Sequence, residues 1–108
     1  MTEVELLDEA VSKSQDWSIL DLNEVVDNGL PKNIIISKIY LKNKIMYDGF
    51  RTPFSIAIIL TEDEDNSQMA MMYNRKDKKI IPDSFMDLQL SVSDKGNVQL
   101  AGPGGIIH

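Results

Sequence analysis

Ile34-Ile35-Ile36-Ser37-Lys38-Ile39-Tyr40-Leu41-Lys42-Asn43-Lys44-Ile45 is the stretch on which the fold turns. It is rich in β-branched residues, and from Lys38 to Lys42 aliphatic residues alternate with lysine and tyrosine. Successive side chains of a strand point to opposite faces, so this rhythm predicts a long strand over residues 34–47. Strict alternation sets Lys38, Tyr40, Lys42 and Lys44 on one side and Ile35, Ile39, Leu41 and Ile45 on the other. Asp48-Gly49 comes next, a pair that accepts the positive φ angles of a tight hairpin turn. The return strand is expected over residues 50–60, with Pro53 removing a donor and arguing for an edge or a bulge near its start.

Toward the C-terminus the same rhythm continues. Residues 68–73 predict a third strand and residues 74–79 a basic turn. The short Ile80-Ile81-Pro82 run is ambiguous. The clearest alternation lies in residues 85–92, where Met86, Leu88, Leu90 and Val92 face one way and Asp87, Gln89 and Ser91 the other. Asp94-Lys95-Gly96 reads as a type I turn with Gly96 in the left-handed region, and residues 98–101 return. The glycine-rich tail, residues 102–108, is expected to be a frayed end or an extended peptide whose two isoleucines tuck into a groove.

Toward the N-terminus the period lengthens. Thr2 and Glu5 have capping-box spacing, and Val4, Leu7 and Val11, with Leu6 and Ala10, make one apolar stripe over the first fourteen residues. That predicts a helix. Trp17, Ile19, Leu20, Leu22 and Val25-Val26 suggest a second helical segment starting near Ser18 or Asp21 and ending at Asn28-Gly29, with an ordered loop as the alternative.

These elements define an α+β class, mainly antiparallel β. The expected architecture is a five- or six-stranded meander, a curled sheet or small barrel, with an acidic N-terminal helix packed on it. At 108 residues the chain accommodates one domain. Its parts are the acidic helical segment 1–31, the meander 32–101 and the tail 102–108. The sequence contains no cysteine, which excludes disulfides and thiolate metal sites. No basic stretch leads into an apolar run at the start, and no apolar run approaches the roughly 20 residues a membrane helix requires. A soluble, cytoplasmic protein is the expectation. The wealth of Lys, Asn and Ile suits a genome poor in G and C, a mobile element among them.

Catalysis finds little material here. The single histidine, His108, is the last residue and lies close behind Gly104-Gly105. An imidazole that acts as a base has to be held within about 3 Å of its partner, which a glycine-rich terminus does not do. Ser-His-Asp, Cys-His and zinc-hydrolase arrangements therefore fail. Glu62-Asp63-Glu64-Asp65 lacks the alternating spacing and central glycine of a calcium loop. The expectation is no enzyme, no cofactor and no metal.

Charge distribution carries the functional reading. The net charge is −6. Glu3, Glu5, Asp8, Glu9, Asp16, Asp21, Glu24 and Asp27 stand against Lys13 alone in residues 1–31, while Lys32, Lys38, Lys42, Lys44 and Arg51 stand against Asp48 in residues 32–60. An acidic surface made by Glu3, Glu5, Asp8, Glu9 and Asp16 suits the basic groove of a protein partner, and long-range attraction raises such association rates. The leading reading is a protein-binding or adaptor domain, in one version an acidic inhibitor of a nucleic-acid-handling protein. The alternative uses Lys38, Tyr40, Lys42, Lys44 and Arg51 as a platform for single-stranded nucleic acid in an OB-like module, cations on phosphates and Tyr40 stacked on a base. A third is a structural subunit or homo-oligomer that uses strand edges. Met69, Met71 and Tyr73 share a strand face and are expected in the core.

Overall fold

The computed structural model describes residues 3–24, 35–47, 49–62, 68–103 and 105–107. Helix α1, Glu3–Lys13, opens the chain and its apolar stripe is the predicted one. Leu7 and Ala10 are buried and Val11 packs beside them, whereas Val4 at the first turn is exposed. A Glu9–Lys13 pair one turn apart supports the outer side. The Ser14 amide closes the last turn onto the Ala10 carbonyl, and the Ser14 hydroxyl accepts from the Asp16 amide.

The described part of the expected second helical segment, up to Glu24, contains no α-helix. Trp17–Ile19 is a short strand, β1, and Leu22–Glu24 is a single 3-10 turn. The period here is two, with Trp17 and Ile19 on one side, and pairing of β1 with the next strand outweighs local helical spacing. The remainder of the expected segment, with its Asn28-Gly29 cap, lies outside the described residues, as does Thr2 of the capping box.

The predicted long hairpin exists but is broken in two. Ile36–Lys42 is β2, Met46–Tyr47 and Phe50–Arg51 are the small ribbon β3–β4, and Phe54–Thr61 is β5. At the end of β2 the Asn43 amide bonds the Asp16 carbonyl, one step beyond the Trp17–Lys42 pair of the β1 register, and its side chain links Ser18 to Ser55. On the other arm Pro53 has no amide to give, and its carbonyl accepts from Arg75 instead. Gly49 (φ 81°) has the positive φ expected of the turn, while Asp48 lies outside the described residues.

Gln68–Asn74 is β6 and Lys79–Ile80 is β7, which resolves the ambiguous run as a two-residue strand. Strands β1, β2, β5, β6 and β7 form one antiparallel sheet in that order, a meander with β1 and β7 at its ends. Tyr40 lies opposite Ile58, and Ile58 opposite Ala70, so these share a face; Ile39, Ile59 and Met69 share the other.

The C-terminal strands form a sheet of their own. Gln89–Val92 is β8, Val98–Gly102 is β9 and Gly105–Ile107 is β10, in the order β10-β9-β8. Gly96 (φ 83°) occupies the predicted left-handed turn position. The predicted strand over residues 85–92 starts regular pairing only at Gln89; Met86 makes one isolated bridge to Ala70 of β6. Of the two expectations for the tail, the described residues follow the extended one, as a paired strand. Gly105, at φ 113°, adopts a backbone conformation that a side chain would resist, and the chain turns back so that β10 pairs with β9.

Both faces of the central sheet are buried. On one, Tyr40, Ile56, Ile58, Leu60 and Ala70 pack with Leu7 and Ala10 of α1, Trp17 and Leu100 of β9. On the other, Leu20, Ile39, Leu41, Ala57, Ile59, Met71, Tyr73 and Ile80 form a second cluster, which places the Met/Tyr face of β6 in the core as predicted. The near-continuous apolar run of β5 is what a strand covered on both sides requires. Among the described residues, no helix is long and apolar enough to cross a membrane.

Candidate functional site

The two charge blocks of the sequence meet each other. Helix α1 lies over the face of β2 that carries Lys38, Tyr40 and Lys42. Tyr40 is 0% exposed, and its hydroxyl donates to Asp8 Oδ1. Lys38 Nζ reaches the same carboxylate oxygen at 3.4 Å and sits 5.0 Å above the Tyr40 ring, in range of a cation–π contact. Lys42 is also buried; its ammonium donates to the Lys44 carbonyl at 3.2 Å and lies 3.8 Å from Asp16.

This placement corrects the predicted surface. The two-residue rhythm of β2 is real, but the Lys/Tyr side is not the solvent side. Tyr40 has no free face on which to stack a base, and Lys38 and Lys42 are turned to Asp8 and Asp16 rather than outward. Helix α1 covers positions that alternation alone assigns to water, and it covers them with the complementary charges. On the supposed inner side, Ile39 and Leu41 are buried, but Ile35 is 70% exposed at the strand entry and Ile45 packs with the Tyr40 cluster, past the break at Asn43.

The titration behaviour stems from these contacts. The Tyr40 hydroxyl bond, with Lys38 beside it, holds the Asp8 carboxyl below its ordinary value. Burial, reinforced by the bond to Asp8, raises the Tyr40 phenol. The Lys38 ammonium is raised by its aromatic neighbour and by Asp8. Burial lowers the Lys42 ammonium, against the pull of Asp16.

Of the other predicted residues, Glu3 begins α1, Glu5 is exposed on it, and Glu9 pairs with Lys13. Lys44 and Arg51 are exposed, Arg51 on the β3–β4 ribbon. Arg75, in the basic turn, is committed to the main chain: its guanidinium donates to the carbonyls of Thr52 and Pro53. Among the described residues, no three His, Cys, Asp or Glu side chains gather in a metal-holding cluster.

A different site emerges between the two sheets. The isolated Ala70–Met86 bridge is the apex of a wedge from which β6 and the chain leading into β8 diverge. The wedge encloses a groove of about 520 Å³. Ile58 and Leu100 belong to its floor; Met69, Met86, Leu88 and Leu90 line its sides, and Phe85, 53% exposed, stands in its lining. Gln68, Asp87 and Gln89 supply the polar groups, with no Lys or Arg among the lining residues described. Alternation marks Met86, Leu88 and Leu90 as an inward-facing set but gives no reason to expect them only half covered. The signal present in the sequence is the absence of any Lys or Pro from residues 85–92 and 68–73, which leaves these strands without the usual edge protection.

The chain matches no protein-family model, and no curated protein or solved structure is significantly similar to it.

Proposed function

We propose that this chain is a non-enzymatic protein-binding domain that docks a partner at the groove between its two sheets. The observation that carries this reading is a groove that reaches the core residues Ile58 and Leu100, has more polar than apolar surface accessible, and displays Phe85 in its lining. An exposed aromatic is a common anchor at protein interfaces, where polar groups around it fix orientation. The acidic balance of the chain adds long-range attraction for a basic partner, and Glu5 on the outer side of α1 contributes to it. Single-strand binding through β2 has lost its stacking residue and two of its cations to intramolecular contacts, so the Lys/Tyr platform does not compete.

Site-specific photo-crosslinking in cells that express the protein natively is the test. A crosslinker at Phe85 should yield a protein adduct, and one at Lys95, exposed in the β8–β9 turn, should not. Equal yields at both positions, or an adduct at Phe85 that nuclease removes, would overturn the reading.

A further inference from the structure

The groove is bounded by the edge strand β8 and by the start of β6, ahead of its pairing with β7. On β6, the Ala70 carbonyl accepts from the Met86 amide, the Met72 carbonyl accepts from Ile81, and Asn74 lies opposite Lys79 of β7. Backbone groups alternate in direction along a strand, so Gln68, two residues before Ala70, also directs its N–H and C=O away from β5. On β8, the Ser93 amide donates to the Asn97 carbonyl, which makes residues 93 and 97 a hydrogen-bonded pair. By the same alternation Ser91 and Gln89 turn their groups toward β9, and Leu90 and Val92 turn theirs outward. Met86 bonds β6 from the same edge that Leu90 continues. Among the described residues, neither Gln68 nor Leu90 has a backbone partner across the wedge.

We propose that this wedge accepts an extended segment of a different protein as an added β-strand, one in which lysine or arginine alternates with apolar residues. The proposal rests on the docking reading above and specifies its mode. An inserted strand would hydrogen-bond to the β8 edge and to Gln68 at the start of β6, as exposed strand edges do with peptide partners. Its apolar side chains would meet Ile58, Leu88, Leu90 and Leu100. The charge pattern selects the other face. Asp87 lies in the lining, which includes no Lys or Arg among its described residues, so cationic side chains complement it. A second copy of this chain carries a net charge of −6 itself, which disfavours it as the occupant.

A fluorescein-labelled peptide of alternating lysine and valine, about eight residues long, is the probe, and fluorescence anisotropy the readout. Three controls accompany it: the glutamate–valine peptide, the lysine–valine peptide with alternate amides N-methylated, and the Gln68→Pro variant. Proline is tolerated at the first residue of a strand and removes the outward N–H, so the thermal midpoint of the variant should match that of the parent. Saturable binding of the lysine–valine peptide is expected, weakened by about tenfold or more by N-methylation and by Gln68→Pro. Asp87→Lys, at an exposed position, should weaken it as well. Equal binding of the glutamate peptide, or indifference to N-methylation, would overturn the strand mode. So would a dimer in sedimentation that Gln68→Pro dissolves, because a second copy would then be the occupant. If no peptide binds while the Phe85 crosslinker still captures a protein, the strand mode is wrong and the docking reading stands.

Discussion

Tyr40 and Asp8 lie 32 positions apart in the chain and share one hydrogen bond. The phenol is buried, while the carboxylate stays half in water, 52% exposed, and bound to Lys38. This contact ties α1 to the middle of β2 with a polar link among apolar neighbours. Removing the hydroxyl by Tyr40→Phe leaves Asp8 access to solvent and to Lys38, so the cost should be that of one hydrogen bond, about 1 kcal/mol. The variant also separates the pH effects. A carboxyl held below its ordinary value in the fold contributes stability that is complete above the unfolded value, about 3.9, and is lost as pH falls through the lowered one. The raised Tyr40 phenol acts in the opposite direction: its contribution is complete below about pH 10 and is lost as pH rises through the raised value. Chemical denaturation from pH 2 to 11 should therefore show a smaller loss at both extremes in Tyr40→Phe than in the parent. Parallel curves would mean that Asp8 and Tyr40 are not coupled in solution.

At the scale of elements, the turns carry the clearest local logic. The β6–β7 connection is organised by Asn74, whose side-chain oxygen accepts from the amides of Lys76 and Asp77 and whose amide donates to the Asp77 carboxylate. Lys78 closes the turn at φ 57°, in the left-handed region that costs an L-residue about 1 kcal/mol. Lys78→Gly should stabilise the protein by about 0.5 kcal/mol, since glycine adopts this φ freely but gives up more chain entropy on folding. A lowered melting temperature in calorimetry would show that the lysine side chain contributes more than its backbone costs. The elements also show where local pattern is enough. Leu7, Ala10 and Val11 specify α1, and Gly49 and Gly96 sit in turns that their neighbours in sequence announce. Trp17–Ile19 sits in a stretch read as helical yet forms a strand, because a two-residue period over three residues is too short a signal and β1 depends on its pairing with Lys42, Leu41 and Tyr40.

The molecule as a whole is a central five-stranded meander buried on both faces, with α1 and the three-stranded sheet sharing one of them. Such a build predicts a gradient of local stability. In native-state hydrogen exchange, amides of β5, flanked by β2 and β6, should be the slowest. Those of the β3–β4 ribbon, whose strands pair only with each other among the described residues, and of the edge strand β10 should exchange faster by orders of magnitude. Uniform protection across the three groups would refute this hierarchy. The α+β class, the strand periods, the helix stripe and the glycine turns are all legible in the chain alone, because each depends on residues within a few positions of one another. Which side of β2 meets water is settled by packing at a distance. Alternation tells two faces apart but not what lies against either, and here Asp8 and Asp16 come from a remote part of the chain to meet Lys38 and Lys42. The groove beside β8 has the same origin: it exists because two sheets diverge from the Ala70–Met86 bridge, a separation between segments that no local pattern encodes.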